Sequence, residues 1–223
     1  MEKEISNNLS YLLGVIGGDG TINNKPRQKR LIILDKCKDF HFNILSPILI
    51  EEFGCNPKIR FIKERNTWYT IVYSKEIVDI LIDKFGHFAG RDKTYQGKIP
   101  FPILKGDNEI KISHISGWID AEGYCKIKKF HIRNKIYQYP CIIIELVNKE
   151  ILSQLYSLSK EIGFESTKPI FARRVYKNRS PRFYICWNGF EKCKAFLNNI
   201  KHPNRIKQLK NVLLMGDQSK GLT

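Results

Sequence analysis

Two peptides in this chain are copies of one another. YLLGVIGGDGTI (11–22) and HISGWIDAEGYC (114–125) align without a gap, so that Gly14 meets Gly117, Ile16 meets Ile119, Asp19 meets Glu122 and Gly20 meets Gly123. The offset is 103 residues, nearly half of the 223. The segments after each copy repeat as well. RLIILD (30–35) and PCIIIELV (140–147) are short β-branched runs that read as strands. Residues 37–53 and 148–162 have helical spacing and stop at Gly54 and Gly163. The runs 57–64 with 67–74, and 167–177 with 182–187, flank polar turn residues and read as hairpins; helices at 75–85 and 189–200 close each half. Each half is therefore predicted to be α-β-β-α-β-β-α, in an α+β chain, with a further helix near 204–215. The expected organisation is 1–85 for the first half, a Gly/Lys/Pro-rich linker at 86–108, 109–215 for the second half with its extra helix, and a tail at 216–223.

A duplication on this scale needs real cores, and the chain can build them: 42% of its residues are hydrophobic and 12% aromatic, too many for a disordered polycation. No apolar run approaches a membrane span, and the opening MEKEISNN is acidic where a secretory signal would be basic then apolar. Six cysteines (37, 55, 125, 141, 186 and 193) include no C-x-x-C pair, and the five histidines have no metal spacing with them. These facts exclude a zinc ribbon or finger and argue against a disulfide scaffold. The expectation is a soluble, reduced, intracellular protein, cytoplasmic and nucleoid-associated or organellar.

The formal charge is +16, with a pI near 9.6, which asks for a polyanionic partner. The excess is uneven: net +4 up to Leu104 and net +12 from Lys105 onward. It is also clustered, at Lys25, Arg27, Lys29 and Arg30; at Lys58, Arg60, Lys63 and Arg65; at Lys126, Lys128, Lys129, Arg133 and Lys135; and at Arg173, Arg174, Lys177, Arg179 and Arg182. Any one cluster is an ordinary solvated loop. Four of them in segments of one predicted type point to a shared surface.

The repeated peptide carries the chemistry. On the helices predicted at 6–18 and 109–121, small residues stand four apart (Gly14 and Gly18, Gly117 and Ala121), on one helix face where two backbones can approach closely. A glycine inside a helix costs about 0.5–1 kcal/mol relative to alanine. Glycines at 14, 17 and 18 therefore need a reason, and helix-to-helix packing through Gly14 and Gly117 supplies one. Asp19 and Glu122 fall at the helix ends, just before Gly20 and Gly123 as expected C′ caps. The helix dipole disfavours an acid there. Two such acids brought together by paired helices would instead suit divalent cations that activate water for attack on a phosphodiester.

These residues resemble a known family. LLGVIGGDG (12–20) and ISGWIDAEG (115–123) are similar to the two motif copies of single-chain LAGLIDADG homing endonucleases. The resemblance implies a saddle of two αββαββα halves, whose two antiparallel four-stranded sheets lie in the DNA major groove above a metal site at the base of the motif helices. It implies catalytic acids at the eighth motif position, Asp19 and Glu122, with metal-facing backbone carbonyls at Gly18 and Ala121. The sixth position departs in one copy: Asp120 fits, Gly17 does not. By the same resemblance a basic or amide residue stands near each scissile phosphate. Lys36 fits in the first half, while Asn148, Lys149 and Lys126 stay open in the second.

Base and phosphate contacts are expected from alternate strand residues. Candidates are Lys25, Arg27, Lys29, Arg30, Lys58, Arg60, Lys126, Lys128, Arg133, Gln138, Arg173, Arg174, Lys177 and Arg182, with Tyr137 and Tyr176 beside them. Trp68, Phe183 and Trp187 read as core. The expectation is a monomeric, Mg2+-dependent (alternatively Mn2+-dependent) double-strand DNA endonuclease, encoded in an intron, with no membrane partner. An RNA-binding intron maturase and a cleavage-dead DNA binder are the alternatives. Retention of both acids argues against the second of these.

Overall fold

The computed structural model describes residues 5–90, 93–132, 135–172 and 180–218. Ser6 opens α1 (Asn7–Gly18) by accepting a hydrogen bond from the Leu9 N–H at 2.9 Å. A two-residue turn at 26–27 then joins β1 (Gly20–Lys25) to β2 (Gln28–Asp35). Next come α2 (Lys38–Phe40), a π-helical turn (His41–Leu45) and α3 (Ser46–Phe53), which run on without a break. Gly54 ends them at φ 61°, in the left-handed region that glycine favours. β3 (Lys58–Ile62) and β4 (Thr67–Tyr73) form a hairpin whose turn ends at Asn66, φ 46°. α4 (Lys75–Asp79), capped by Ser74, runs into a second π-helical turn and completes the half.

Residues 86–108 hold two short helices, α5 (Lys93–Gln96) and α6 (Phe101–Lys105), and they contribute Ile99 and Ile103 to the core. The pattern then recurs. Asp107 caps α7 (Asn108–Glu122), followed by β5 (Gly123–Ile132) and β6 (Lys135–Leu146). Asn148 caps α8 (Lys149–Glu161), and Gly163 follows that helix at φ 79°. β7 (Ile170–Phe171), β8 (Phe183–Asn188), α9 (Phe190–Leu197) and α10 (Pro203–Gln218) complete the described chain. Among the described residues, the expected hairpin over 167–177 and 182–187 is seen as β7 paired with β8.

Both sheets are antiparallel, four-stranded and wound alike, in the order β1-β2-β4-β3 and β5-β6-β8-β7. Their registers match: Gly20 sits opposite Ile33 and Gly123 opposite Ile144. One face of each sheet packs on the helices. Ile22, Leu31, Ile33 and Val72 in the first sheet, and Cys125, Ile142, Ile144, Ile185 and Trp187 in the second, join one continuous apolar core with α1 and α7 at its centre. The other face of each sheet carries the alternate residues.

Gly20 and Gly123 do not act as left-handed caps. Neither has a positive φ, and Gly123 is extended at φ −80°, ψ 154°. Each starts the strand that doubles back under its own helix. A Cβ on Gly20 would fall 2.6 Å from the Ile16 carbonyl oxygen, and one on Gly123 would fall 2.9 Å from the Ile119 Cα. Glycine is needed there for close approach.

Candidate active site

α1 and α7 cross with almost no side chain between them. A Cβ added to Gly117 would strike the Tyr11 carbonyl oxygen and come within 3.0 Å of the Val15 nitrogen; one added to Gly14 would strike the His114 carbonyl oxygen. The Cα atoms of the two glycines therefore face each other, as the repeat required. Two polar bridges flank the crossing. Ser10 Oγ donates to the Ile110 carbonyl at 2.7 Å. His114 Nδ1 donates to the Ser10 carbonyl at 3.1 Å, while its Nε2 accepts from Trp118 Nε1 at 3.1 Å. With both ring nitrogens used in that sense His114 is neutral, and burial pushes its pKa down to about 4.

This crossing brings the motif ends together. A Cβ on Gly18 would lie 2.5 Å from the Ala121 Cβ and 3.0 Å from the Glu122 Cγ. Asp19 and Glu122, both half-buried, line one cavity of about 490 Å3 together with Gly17, Gly18, Thr94 and Val147. The two carboxylates are hard oxygen donors, and the missing side chain at Gly18 lets Ala121 and Glu122 come this close to α1. Thr94 and Val147 were not singled out by the sequence; nothing local marks them.

The departure at the sixth motif position has a physical account. A Cβ on Gly17 would fall 2.5 Å from Cζ2 of Trp118, so the indole fills the place where an aspartate would stand. The other copy keeps its acid. Asp120 Oδ2 is buried and accepts from the Tyr11 hydroxyl at 2.6 Å and from the Lys201 and His202 N–H groups at 2.6 and 2.9 Å. It thereby ties the segment leading into α10 to both motif helices. Burial raises the Asp120 pKa despite those three donors.

From there the network crosses into the first half. His202 Nδ1 accepts the Asn204 N–H at 3.1 Å, which leaves the proton on Nε2 to be donated to Asp35 Oδ1 at 3.0 Å. Burial would raise the Asp35 pKa, but that bond and the Cys37 N–H more than offset it, and the carboxyl stays below its ordinary value. Asp35, Cys37 and His202 offer ligand atoms within 4.8 Å of one another. The tautomer argues against a metal there: a ligating imidazole donates its second N–H outward, whereas Nδ1 here is an acceptor.

Lys36 follows Asp35 and is exposed at the end of β2. By strand register its counterpart in the second half is Val147. Asn148 is committed to capping α8 and to donating to the Gly97 carbonyl at 2.9 Å. Lys149 lies over the Phe183 ring and Lys126 over the Tyr124 ring.

The other basic candidates divide by face. Lys25, Arg30, Lys58 and Arg60 alternate onto the outer face of the first sheet, and Lys126 and Lys128 onto that of the second. Arg27 is exposed in the β1–β2 turn. Arg182 is exposed 3.7 Å from Glu145. Lys29 alternates to the helix side, where it is ion-paired with Asp79, and Gln138 lies on the face opposite Lys128. Arg133, Arg173, Arg174, Tyr176 and Lys177 lie outside the described residues. Trp187 is fully buried, while Trp68 and Phe183 are half-buried against neighbouring rings.

No family model matches the sequence. A curated but uncharacterised protein of Methanocaldococcus jannaschii is 24% identical over 160 residues, 72% of this chain; the match spans 56% of that protein's length. Among solved structures, the homing endonuclease I-DmoI in complex with DNA and calcium superposes with a TM-score of 0.60, over 94% of this chain and all of that one, at 18% identity. The LAGLIDADG meganuclease I-AabMI bound to uncleaved DNA does so at 0.59, over 97% and 92% of the two chains, at 15% identity. This is the LAGLIDADG endonuclease fold. In this LAGLIDADG fold the expected saddle is present: two αββαββα halves, two four-stranded antiparallel sheets and the motif helices between them. At such identities the likeness establishes the architecture, and the chemistry must come from the residues.

Proposed function

We propose that this chain is a site-specific double-strand DNA endonuclease that works as a monomer with a divalent cation, Mg2+ or Mn2+. One observation carries the reading: two carboxylates matched by an internal repeat meet at the ends of two glycine-packed helices, between two sheets whose outer faces carry lysine and arginine. In support, I-DmoI has been crystallised with DNA and manganese and with DNA and calcium.

The donor set fits such a cation. Asp19 and Glu122 would hold it, with the backbone carbonyls of Gly18 and Ala121 as further hard oxygens. When bound, the cation supplies a polarised water and offsets charge building on the phosphate. Everything else falls to the protein. The outer faces of the sheets fix the register of the duplex, Lys36 places one cation near a scissile phosphate, and the rigid α1–α7 crossing sets the separation of the two acids. The two halves, 1–85 and 109–215, each read one side of a long target.

The natural assay uses host DNA joined across the position of this gene, the sequence an inserted element would have interrupted. Incubation with Mg2+ or Mn2+ should yield one discrete double-strand break, absent with a chelator. Failure to cut that junction or any fragment of host DNA with either metal overturns the reading.

A further inference from the structure

The outer face of the second sheet has a feature that base reading does not need. Cys186 pairs with Ile143 across β6 and β8, and Cys141 is two residues from Ile143, so the cysteines are diagonal neighbours. With Ile143 they form a small apolar cluster apart from the main core, flanked by Tyr124 and Tyr184. Lys128 is drawn into it. Its Nζ lies 3.2 Å from Cys186 Sγ and 3.1 Å from Asn188 Oδ1, while Cys186 Sγ lies 3.0 Å from the same amide oxygen. A lysine on this face is expected to reach for solvent or phosphate; this one directs its charge at a sulfur.

We propose that Cys141 and Cys186 are a redox-active dithiol that hydroperoxides convert to a disulfide, and that oxidation alters DNA binding by releasing Lys128. The second clause rests on the endonuclease reading of this face; the first does not.

The surroundings favour Cys186 as the attacking sulfur. The hydrogen bond from Cys141, aided by the Lys128 ammonium, brings the Cys186 thiol below its ordinary value against the cost of burial, and the proton that Cys141 donates is held more firmly in turn. Lys126 adds positive charge nearby. Two other cysteines contrast with this pair: Cys125 and Cys193, buried in the main core, are pushed up to about 12 by burial.

The chemistry balances. The Cys186 thiolate attacks one oxygen of the hydroperoxide, the O–O bond breaks, and the other oxygen leaves as the alcohol (or water) after taking a proton. Cys141 then attacks the sulfur of the resulting sulfenic acid, the S–O bond breaks and water departs. The two sulfurs lose two electrons in all and the peroxide gains them. Diagonal Cα atoms stand about 7–8 Å apart, against the 4.4–6.8 Å of a disulfide, so β8 must slide along β6 by about 1 Å, the spacing between the paired strands being already set by their hydrogen bonds. On its far side β8 is paired with β7, and Thr167 holds Cys186 itself, donating its N–H to the Cys186 carbonyl at 2.9 Å and accepting the Cys186 N–H on Oγ1 at 3.0 Å, so Thr167 must move with it.

The test uses the full chain, first reduced and then exposed to hydrogen peroxide. Alkylation and peptide mapping should find Cys141 linked to Cys186 while Cys125 and Cys193 stay thiols. Salt titration of binding to a long mixed-sequence duplex should give a slope steeper by about 0.9 after oxidation, the share of one added phosphate contact, reversed by dithiothreitol. In Cys141→Ser, oxidation should stop at a dimedone-reactive Cys186; Lys128→Met should form the disulfide more slowly and show no change in slope. Oxidation confined to Cys37 or Cys55 overturns the dithiol. A Cys141–Cys186 disulfide with an unchanged slope overturns the release of Lys128. Failure of the reduced protein to bind any duplex would overturn the endonuclease reading and the effect on DNA, leaving the peptide map to decide the dithiol.

Discussion

Consider one added methyl group, Gly117→Ala. Its Cβ would sit 3.1 Å from the Gly14 Cα, where carbon contacts are ordinarily about 3.5–4.0 Å, and closer still to the Tyr11 carbonyl oxygen. Neither neighbour is a flexible side-chain tip; both are helix backbone. The relief available is for α1 and α7 to part by roughly 0.5–1 Å, which forfeits about a quarter to a half of each atom-pair attraction across the crossing. For some tens of pairs at about 0.1–0.2 kcal/mol, that loss is about 1–3 kcal/mol, the usual range for overpacking. The gain in helix propensity returns about 0.5–1 kcal/mol. A net destabilisation of about 1–2 kcal/mol should lower the melting temperature by about 2–8 °C in a chain of this size. Urea unfolding with an unchanged m-value is the assay. Gly14→Ala should behave alike, and the double variant should cost less than the sum of the two, because one separation relieves both contacts. If Gly117→Ala melts at or above the parent, or the pair adds fully, the backbone-to-backbone crossing is wrong.

Three further outcomes are expected. Asp19→Asn and Glu122→Gln should each abolish double-strand cleavage while leaving duplex affinity in gel-shift assays largely intact; loss of affinity with cleavage retained would contradict their role. His114 is neutral and buried when folded, with its pKa at about 4 against about 6.5 unfolded, so the unfolded chain binds the proton more readily. Its contribution, full above about pH 6.5 and worth about 3 kcal/mol, should be lost as pH falls to 4; urea midpoints across that range should be visibly flatter in His114→Gln. Finally, Lys58→Ala with Arg60→Ala should flatten the salt dependence of duplex binding by about 0.9 for each phosphate no longer neutralised, whereas Lys29→Ala should leave the slope alone and cost only its ion pair with Asp79.

The repeat made much of this legible in advance, because duplication shows each signal twice. Gly14 with Gly117, and Asp19 with Glu122, could be paired on paper, and helix stops at Gly54 and Gly163 follow from local chemistry that any chain must obey. The face of a strand residue is harder. Lys29 and Arg30 look alike in sequence, yet one residue of register sends the first to Asp79 and the second to the outer face. The link from Asp120 through His202 to Asp35 was invisible because it joins positions 82 and 167 residues apart, and Thr94 enters the cavity from a segment that reads as a connector. Gly20 and Gly123 misled for a different reason: glycine after a helix has two common uses, and only the backbone angles tell a left-handed cap from close approach.

The indole of Trp118 over Gly17 makes the two halves complementary instead of equivalent. The repeat places Val15 where the second copy has Trp118, and Asp120 where the first has Gly17. Two first halves joined together would set valine against glycine on both sides and leave a hollow. Two second halves would drive each tryptophan into an aspartate. A duplicated ancestor could have assembled from identical pieces; this chain no longer can. Its left and right are chemically labelled at the centre of the molecule, and any attempt to build a symmetric protein from one of its halves must first re-cut that lock and key.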